Sequence, residues 1–228
     1  MAGPLTQLSF DLPLEPRYGR EDFLRSFSNE GAYEAIEAWP RWRDRVLLLI
    51  GPEGAGKSHL GAIWAARAGA STVAATGLSS ADVPDIIVPG AVLIEDADRI
   101  GPNEASLFHL VNLVRETSGF LLLTARRRPD FWGLATADLL SRLRQAPAVE
   151  IGAPDDDLIR AVLVKLMADR QIAVDGGVVD YLACRIERSL AAARMVVAAL
   201  DRESLARGRR ITKIMAGDVL RRLVEDCG

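Results

Sequence analysis

A short segment near residue 50 combines the residue types that bind phosphate groups. The apolar run 46–50 is typical of a buried strand, and it leads into Gly51-x4-Gly56-Lys57-Ser58, which matches the P-loop pattern at every position. Glycines let backbone N–H groups converge on an anion, the lysine ammonium reaches the outer phosphates of a nucleotide, and the serine hydroxyl can bind Mg²⁺. A helix that begins at the lysine directs its N-terminal dipole at the same charge.

The whole loop is therefore predicted to bind a nucleotide. The alternative is a glycine-rich turn with an exposed lysine, but the buried strand before the loop is the context that a P-loop requires. The predicted nucleotide contacts are Gly51, Pro52, Glu53, Gly54, Ala55, Gly56, Lys57, Ser58 and His59.

A second apolar segment, 91–95, ends in the acidic pair Glu95 and Asp96. Carboxylates at the end of a strand after a P-loop are typical of a Walker B element, so we expect Ser58, Glu95 and Asp96 to hold Mg²⁺. Such ATPases usually have Asp where this chain has Glu95. The extra methylene displaces an oxygen by about an ångström, and Mg²⁺ demands near-ideal octahedral geometry, so binding should survive better than turnover. The alternative is a solvated turn.

The order of apolar and amphipathic segments predicts the fold class. Strand patterns alternate with helix patterns up to residue 151, which indicates an α/β fold with a parallel sheet flanked by helices, and a small all-helical part follows. The predicted strands are 46–50, 72–76, 91–95, 120–124 and 149–151. The predicted helices are 30–39, 57–68, 103–116, 155–170, 178–186, 189–207 and 215–225.

Composition narrows the class of protein. The 228 residues are 49% apolar, which is enough for an α/β core and a small second domain. No apolar run approaches the roughly 18 residues of a membrane span and no signal-peptide pattern is present, so we expect a soluble, cytoplasmic protein. The net charge of −3 does not favour nucleic acid, so any DNA contact would have to be local.

The order of P-loop, acidic strand, further buried strand and helical part resembles the AAA+ module of DnaA-type ATPases, and the resemblance covers nearly everything after residue 16. It implies ADP or ATP as the ligand, with Asp22-Phe23-Leu24 and Asn29 similar to the segment that wraps adenine. It also implies that Thr124 is the sensor 1 residue, which aligns water against the terminal phosphate. A strand-capping threonine is the alternative.

The same resemblance implies functional roles for two arginines, Arg142 and Arg188. Residues 139–143, LLSRL, resemble the box that holds the arginine finger, which implies that Arg142 acts on the γ-phosphate of a neighbouring molecule. Arg188 resembles sensor 2, a phosphate-contacting arginine of the helical lid, although the nearby Arg194 competes for that role. The alternative in each case is an ordinary surface arginine.

The N-terminal stretch 1–16 contains three prolines and has no helical period, which indicates an extended arm. Extended backbone would place Leu8, Phe10 and Leu12 on one side, after the amide of Gln7. The segment QLSFDL resembles the hexapeptide by which bacterial proteins dock on the sliding clamp, the β subunit of DNA polymerase III. The alternative is a tail that folds back on its own domain.

An arm of this kind before a DnaA-like module, without a helix-turn-helix DNA-binding domain, resembles the Hda (HdaA) family of DnaA regulators. This resemblance implies a regulator that, bound to the clamp, stimulates hydrolysis of DnaA-bound ATP and limits re-initiation of replication, itself in an ADP-bound form. DNA contact would be indirect, through the clamp, and no membrane contact is expected. The predicted domains are the arm 1–16, the AAA+ nucleotide-binding domain 17–153 and the helical lid 154–228.

Two alternative functions, and the oligomeric state, are left open by the sequence. The chain could be a free-standing P-loop ATPase or kinase, which the Glu95 substitution disfavours. It could also be a DNA-binding initiator or helicase-loader relative that uses the arginines of 126–128 or 207–210, which the acidic net charge disfavours. Homo-oligomerisation is open as well.

Overall fold

The computed structural model describes residues 18–225, in which five strands form one sheet. The strand order is β2-β3-β4-β1-β5, and each neighbouring pair runs parallel. The predicted α/β class with a parallel sheet is thus confirmed. The strands are β1 (Val46–Ile50), β2 (Ser71–Ala74), β3 (Ala91–Glu95), β4 (Phe120–Ala125) and β5 (Ala148–Glu150).

Helices flank the sheet and then continue alone after β5, as the sequence pattern predicts. The helices before β5 are α1 (Glu30–Glu37), α2 (Lys57–Ala68), α3 (Val83–Ile86), α4 (Glu104–Glu116) and α5 (Ala137–Gln145). The helices after β5, called the lid below, are α6 (Asp156–Asp169), α7 (Gly176–Ala183), α8 (Leu190–Arg207) and α9 (Lys213–Glu225).

Both faces of the sheet are covered by apolar side chains. Alternate residues of a strand point to opposite faces, so Leu48 of β1 joins a cluster with α4 and α5, whereas Leu47 and Leu49 join a cluster with α1 and α2. Each of these three leucines is at most 3% exposed. A strand buried on both faces must be apolar throughout, which explains the sequence VLLLI.

The lid has a hydrophobic cluster of its own, to which all four of its helices contribute. Leu163, Leu182 and Val197 are completely buried in it. This separate cluster is compatible with the predicted domain boundary near residue 154, which stays a prediction. Within residues 18–225, no helix combines the length and apolar character needed to cross a bilayer.

Several predicted element boundaries are shifted by two or three residues. Strand β2 ends at Ala74 because residues 75–77 turn into a 3₁₀ helix, and α1 ends at Glu37, two residues before the predicted end. Helix α7 begins earlier than predicted because the Asp175 carboxylate accepts a hydrogen bond from the Gly177 N–H at 2.7 Å. A capping aspartate therefore places the two glycines inside the helix instead of before it.

Candidate nucleotide-binding site

The predicted P-loop, the acidic pair Glu95 and Asp96, and Thr124 lie at one edge of the sheet. Strand β4 lies between β3 and β1, so the segments that follow these three strands are neighbours. The Gly51 N–H donates to the Ala125 carbonyl at 3.1 Å, which fixes the start of the P-loop against the end of β4. Ligands of open α/β sheets bind at this carboxyl edge.

The P-loop connects β1 to α2 and holds its lysine against the loop backbone. Lys57 is 7% exposed, and its Nζ donates to the carbonyls of Gly51 and Pro52, each at 2.8 Å. Burial lowers the pKa of Lys57, while the nearby Asp96 and Asp98 carboxylates act in the opposite direction. The charge of this ammonium is therefore available to an anion that enters the site.

A cavity of about 210 Å³ opens beside the P-loop. Its charged lining consists of the cations Lys57, Arg126 and Arg194 and the anions Glu53 and Asp96. The other lining residues are Tyr18, Gly54, Gly56, Ser58, His59, Leu190 and Ala191. Six of the nine predicted nucleotide contacts thus line this cavity, whereas Gly51, Pro52 and Ala55 do not.

Only one residue of the acidic pair lines the cavity, because the chain turns directly after β3. Asp96 has a φ of 52° and lines the cavity, whereas Glu95 is not among the lining residues. The Asp96 N–H donates to Thr124 Oγ1 at 3.0 Å, and Thr124 is 1% exposed. The predicted sensor 1 threonine therefore holds the acidic turn in position from beneath the cavity.

The oxygen ligands that remain at the cavity fit Mg²⁺ bound with a nucleotide. The Ser58 hydroxyl and the Asp96 carboxylate are hard ligands, and Mg²⁺ takes its other ligands from phosphates and water. Glu95 is less well situated than the sequence predicts, since it does not line the cavity. In the described range 18–225, no group of three or more acidic, histidine or cysteine side chains is placed to hold a metal ion by itself.

The predicted arginine finger lies outside this cavity. Arg142 is on α5 and is partly exposed, and its guanidinium carbon lies 5.6 Å from the centre of the Phe108 ring of α4. A stacked guanidinium keeps its N–H donors free at the ring's periphery. The position therefore suits contact with another molecule.

The structure favours the competing arginine for the sensor 2 position. Arg188 precedes α8, is 65% exposed and pairs with Asp156 at 3.0 Å, away from the cavity lining. Arg194, one turn inside α8, lines the cavity. The reason is that α8 begins at Leu190 with Ser189 as its N-cap, which leaves Arg188 outside the helix.

Residues 18–24, called the N-terminal segment below, lie beside the cavities on the side of the lid. His59 is 6% exposed, and its Nε2–H donates to the Gly19 carbonyl at 2.9 Å. Burial lowers the pKa of this imidazole, and the hydrogen bond to Gly19 acts in the opposite direction. Tyr18 packs edge-on against His59 at 5.3 Å. Lys165 of α6 binds the Asp22 carboxylate at 2.6 Å, which ties this segment to the lid.

A second cavity of about 400 Å³ continues from the first between this segment and the lid. Phe23, Leu24 and Leu158 contribute to its apolar lining, and His59 and Arg194 line both cavities. Asp22, Phe23 and Leu24, which the resemblance implies as adenine contacts, all line this second cavity. Asn29 does not line either cavity, because its side chain is bonded to the backbone of Leu24 and Ser26.

Sequence reasoning missed four contributors to the first cavity: Leu190 and Ala191 at the start of α8, and, from distant parts of the chain, Tyr18 and Arg126. No motif marks Tyr18 or Arg126, and their positions follow only from the sheet order and the fold of the N-terminal segment. The predicted clamp contacts Gln7, Leu8, Phe10 and Leu12 lie outside the described residues.

The substitution Gly54→Ala is expected to lower the free energy of unfolding by about 1–3 kcal/mol, because overpacking and a disfavoured φ coincide there. Gly54 has a φ of 71°, and a Cβ at this position would lie 2.0 Å from the hydroxyl oxygen of Ser189. The Gly54 carbonyl also accepts a hydrogen bond from the Leu190 N–H at 2.8 Å, so the P-loop and the lid meet here. Urea unfolding measures the change.

The matched control for this substitution is Gly31→Ala in α1, where an added Cβ meets nothing within 4 Å. We expect Gly31→Ala to be neutral or slightly stabilising, since alanine favours a helix. Equal unfolding midpoints for the two variants would contradict the close contact between P-loop and lid.

Comparison with known proteins identifies the fold. No model of a known protein family matches the chain. The chain is 22% identical over 234 residues to the chromosomal replication initiator protein DnaA of Campylobacter jejuni, an alignment that includes 91% of this chain and 53% of that protein. The chain thus spans about half the length of the curated relative it matches.

Solved structures agree with this comparison. Domain III of the replication initiation protein DnaA from Thermotoga maritima superposes with a TM-score of 0.78 at 19% identity, over 92% of this chain and 98% of that one. AMPPCP-bound DnaA from Aquifex aeolicus gives a TM-score of 0.68 at 20% identity, over 86% and 70%. A Thermotoga maritima RuvB variant gives 0.68 at 16%, over 89% and 69%. The chain therefore has the AAA+ fold of DnaA domain III, with a parallel sheet and a C-terminal helical region.

Proposed function

We propose that this chain is a DnaA-related AAA+ regulator that binds an adenine nucleotide and the sliding clamp and stimulates hydrolysis of ATP bound to DnaA. Such an activity would limit initiation of chromosome replication, as in the Hda family. The observation that carries the proposal is that the P-loop and Lys57 line a cavity at the edge of the sheet, whereas Arg142 lies outside that cavity and is partly exposed.

The nucleotide would stabilise the chain's own conformation. Lys57 and Arg194 supply positive charge from α2 and α8, so a phosphate chain between them would join the P-loop to the lid. Ser58 and Asp96 would hold Mg²⁺, which neutralises phosphate charge when it is bound. AMPPCP is bound by the DnaA of Aquifex aeolicus, which has the same fold. This supports ADP or ATP as the ligand here.

Weak turnover of the chain's own nucleotide follows from the acidic pair. Glu95 does not line the cavity, and Asp96, which does, is the carboxylate assigned to Mg²⁺. A carboxylate that positions an attacking water must be within hydrogen-bond reach of it. We therefore assign the accelerated hydrolysis to the partner, DnaA, with Arg142 as a finger supplied in trans.

The N-terminal arm would supply the link to replication. Gln7 and the stripe Leu8, Phe10 and Leu12 would dock in an apolar groove of the clamp, as an extended peptide does when pockets accept alternate side chains. Such a contact is weak by itself, but a ring with several equivalent sites raises the effective concentration of the regulator. DNA would be met indirectly, through the clamp.

The two alternatives are supported less well by the described contacts. A free-standing ATPase would need Glu95 at the cavity, which is not where it lies. A DNA-binding relative would need free basic groups, yet three of the six arginines named for that role are in ion pairs, Arg126 with Glu53, Arg128 with Glu150 and Arg207 with Glu203. Paired arginines offer less charge to a DNA backbone.

The double substitution Gln7→Ala plus Leu8→Ala is expected to abolish retention on immobilised clamp and, with it, the stimulated hydrolysis of DnaA-bound ATP. The reason is loss of both the leading amide and one apolar anchor of a small contact. The matched control is Thr6→Ala plus Ser9→Ala, which leaves the anchors intact. Unchanged retention of the first variant would contradict clamp docking, and absence of stimulation by the unaltered chain would contradict the proposed function.

A further inference from the structure

Arg126 is a charged group of the cavity that the sequence motifs do not assign. It follows β4 directly, two residues after Thr124, and its side chain lines the first cavity with Lys57 and Ser58. Its guanidinium pairs with the Glu53 carboxylate of the P-loop at 3.0 Å. Neither partner is well buried, since Arg126 is 42% and Glu53 73% exposed.

The pair between Arg126 and Glu53 is easily exchanged. Surface ion pairs of this exposure contribute little to stability, about 0–1 kcal/mol. A guanidinium gains more from two parallel hydrogen bonds to a phosphate than from one exposed carboxylate. Arg126 also lies close enough to Lys57 to lower the pKa of that ammonium, although the carboxylates of Asp96, Asp98 and Glu53 act in the opposite direction, so the two cations share one region of the site.

The sheet order decides which part of a nucleotide this region would meet. Tyr18, Leu190 and Arg194 line the cavity from the N-terminal segment and the lid, whereas Asp96 and Arg126 line it from the ends of β3 and β4. The second cavity, whose lining includes the apolar side chains of Phe23, Leu24 and Leu158, opens on the lid side. A nucleoside would therefore occupy the lid side, and the far end of its phosphate chain would point toward Asp96 and Arg126.

We propose that Arg126 is the residue that distinguishes a nucleoside triphosphate from a diphosphate in this site, by exchanging Glu53 for the terminal phosphate. The inference rests on the nucleotide binding proposed above, but not on the clamp, on DnaA or on Arg142. Glu53 acts against the triphosphate in this arrangement, because its carboxylate competes for the same guanidinium. A diphosphate leaves the ion pair of Arg126 and Glu53 intact.

Isothermal titration of the full chain with Mg-ADP and with Mg-AMPPCP tests the inference. Arg126→Ala is expected to lower the AMPPCP affinity about tenfold or more while changing the ADP affinity little, because a charged hydrogen bond is lost only with the longer phosphate chain. Glu53→Gln should raise the AMPPCP affinity relative to ADP. The control Arg128→Ala removes an arginine two positions along the chain that pairs with Glu150 and does not line the cavity, and it should leave both affinities unchanged.

The outcomes separate this inference from the function proposed above. An unchanged ratio of the two affinities in Arg126→Ala, whether both stay the same or both fall equally, overturns the role of Arg126 and leaves nucleotide binding intact. If the unaltered chain binds neither nucleotide, both the nucleotide-binding proposal and the inference fail. A selective loss of AMPPCP binding, with unchanged thermal unfolding of the nucleotide-free variant, supports the inference.

Discussion

Substituting Arg142 by alanine is expected to reduce the stimulated hydrolysis of DnaA-bound ATP by about 10³–10⁵-fold, the usual contribution of an arginine finger supplied in trans. The side chain lies over Phe108 and outside the chain's own cavity, so its loss should leave nucleotide binding by this chain unchanged. Arg142→Lys should restore little of the rate, because an ammonium lacks the planar fork that binds two phosphate oxygens. Single-turnover release of phosphate from ATP-loaded DnaA, with clamp present, measures the effect.

Arg144 provides the control on the same helix. It pairs with Asp130 at 2.6 Å and is more exposed than Arg142, so Arg144→Ala removes the same charge from the same helix. We expect Arg144→Ala to keep most of the stimulation. A similar loss in both variants would indicate a general effect of surface charge, and full stimulation by Arg142→Ala would exclude it as the finger.

The substitution Lys57→Met is expected to weaken binding of ADP and ATP by about 100-fold or more, since removing one partner of a desolvated charge pair costs about 2–5 kcal/mol. The methionine retains most of the length of the side chain, being one heavy atom shorter, and removes the ammonium that binds the loop carbonyls of Gly51 and Pro52. Titration with a fluorescent adenine nucleotide measures the affinity.

Unfolding without nucleotide provides the control for Lys57→Met. Burial lowers the pKa of Lys57, which means that the folded chain disfavours the charged form. A neutral side chain should therefore leave the nucleotide-free protein as stable as before, or more stable. Loss of nucleotide binding with a lower unfolding midpoint would indicate a damaged fold, and unchanged binding would contradict the role of the P-loop.

Local patterns were sufficient to predict the parallel α/β fold and the core of the site. The P-loop is contiguous, and the buried strands β1, β3 and β4 are apolar at nearly every position because both of their faces are covered. Gly51 through Ser58 could thus be located from spacing alone. The end of β2 could not, since a 3₁₀ turn at residues 75–77 leaves no distinct sequence pattern.

Contacts between distant segments could not be predicted in this way. Arg126 lines the cavity only because β4 is inserted between β3 and β1, an order that no single segment specifies. The choice between Arg188 and Arg194 depends on where α8 begins, which the buried N-cap Ser189 decides. Tyr18 contributes through the hydrogen bond between Gly19 and His59, which joins residues 40 positions apart.

The most direct test of the central claim is to determine whose bound ATP is hydrolysed. DnaA loaded with γ-labelled ATP is mixed with clamp on DNA and this chain carrying unlabelled nucleotide, and in the reciprocal mixture the label is on this chain. We expect rapid release of labelled phosphate from DnaA and almost none from this chain, with the release from DnaA depending on Arg142. Rapid release from this chain's own site, with or without DnaA and clamp, would contradict the proposed function.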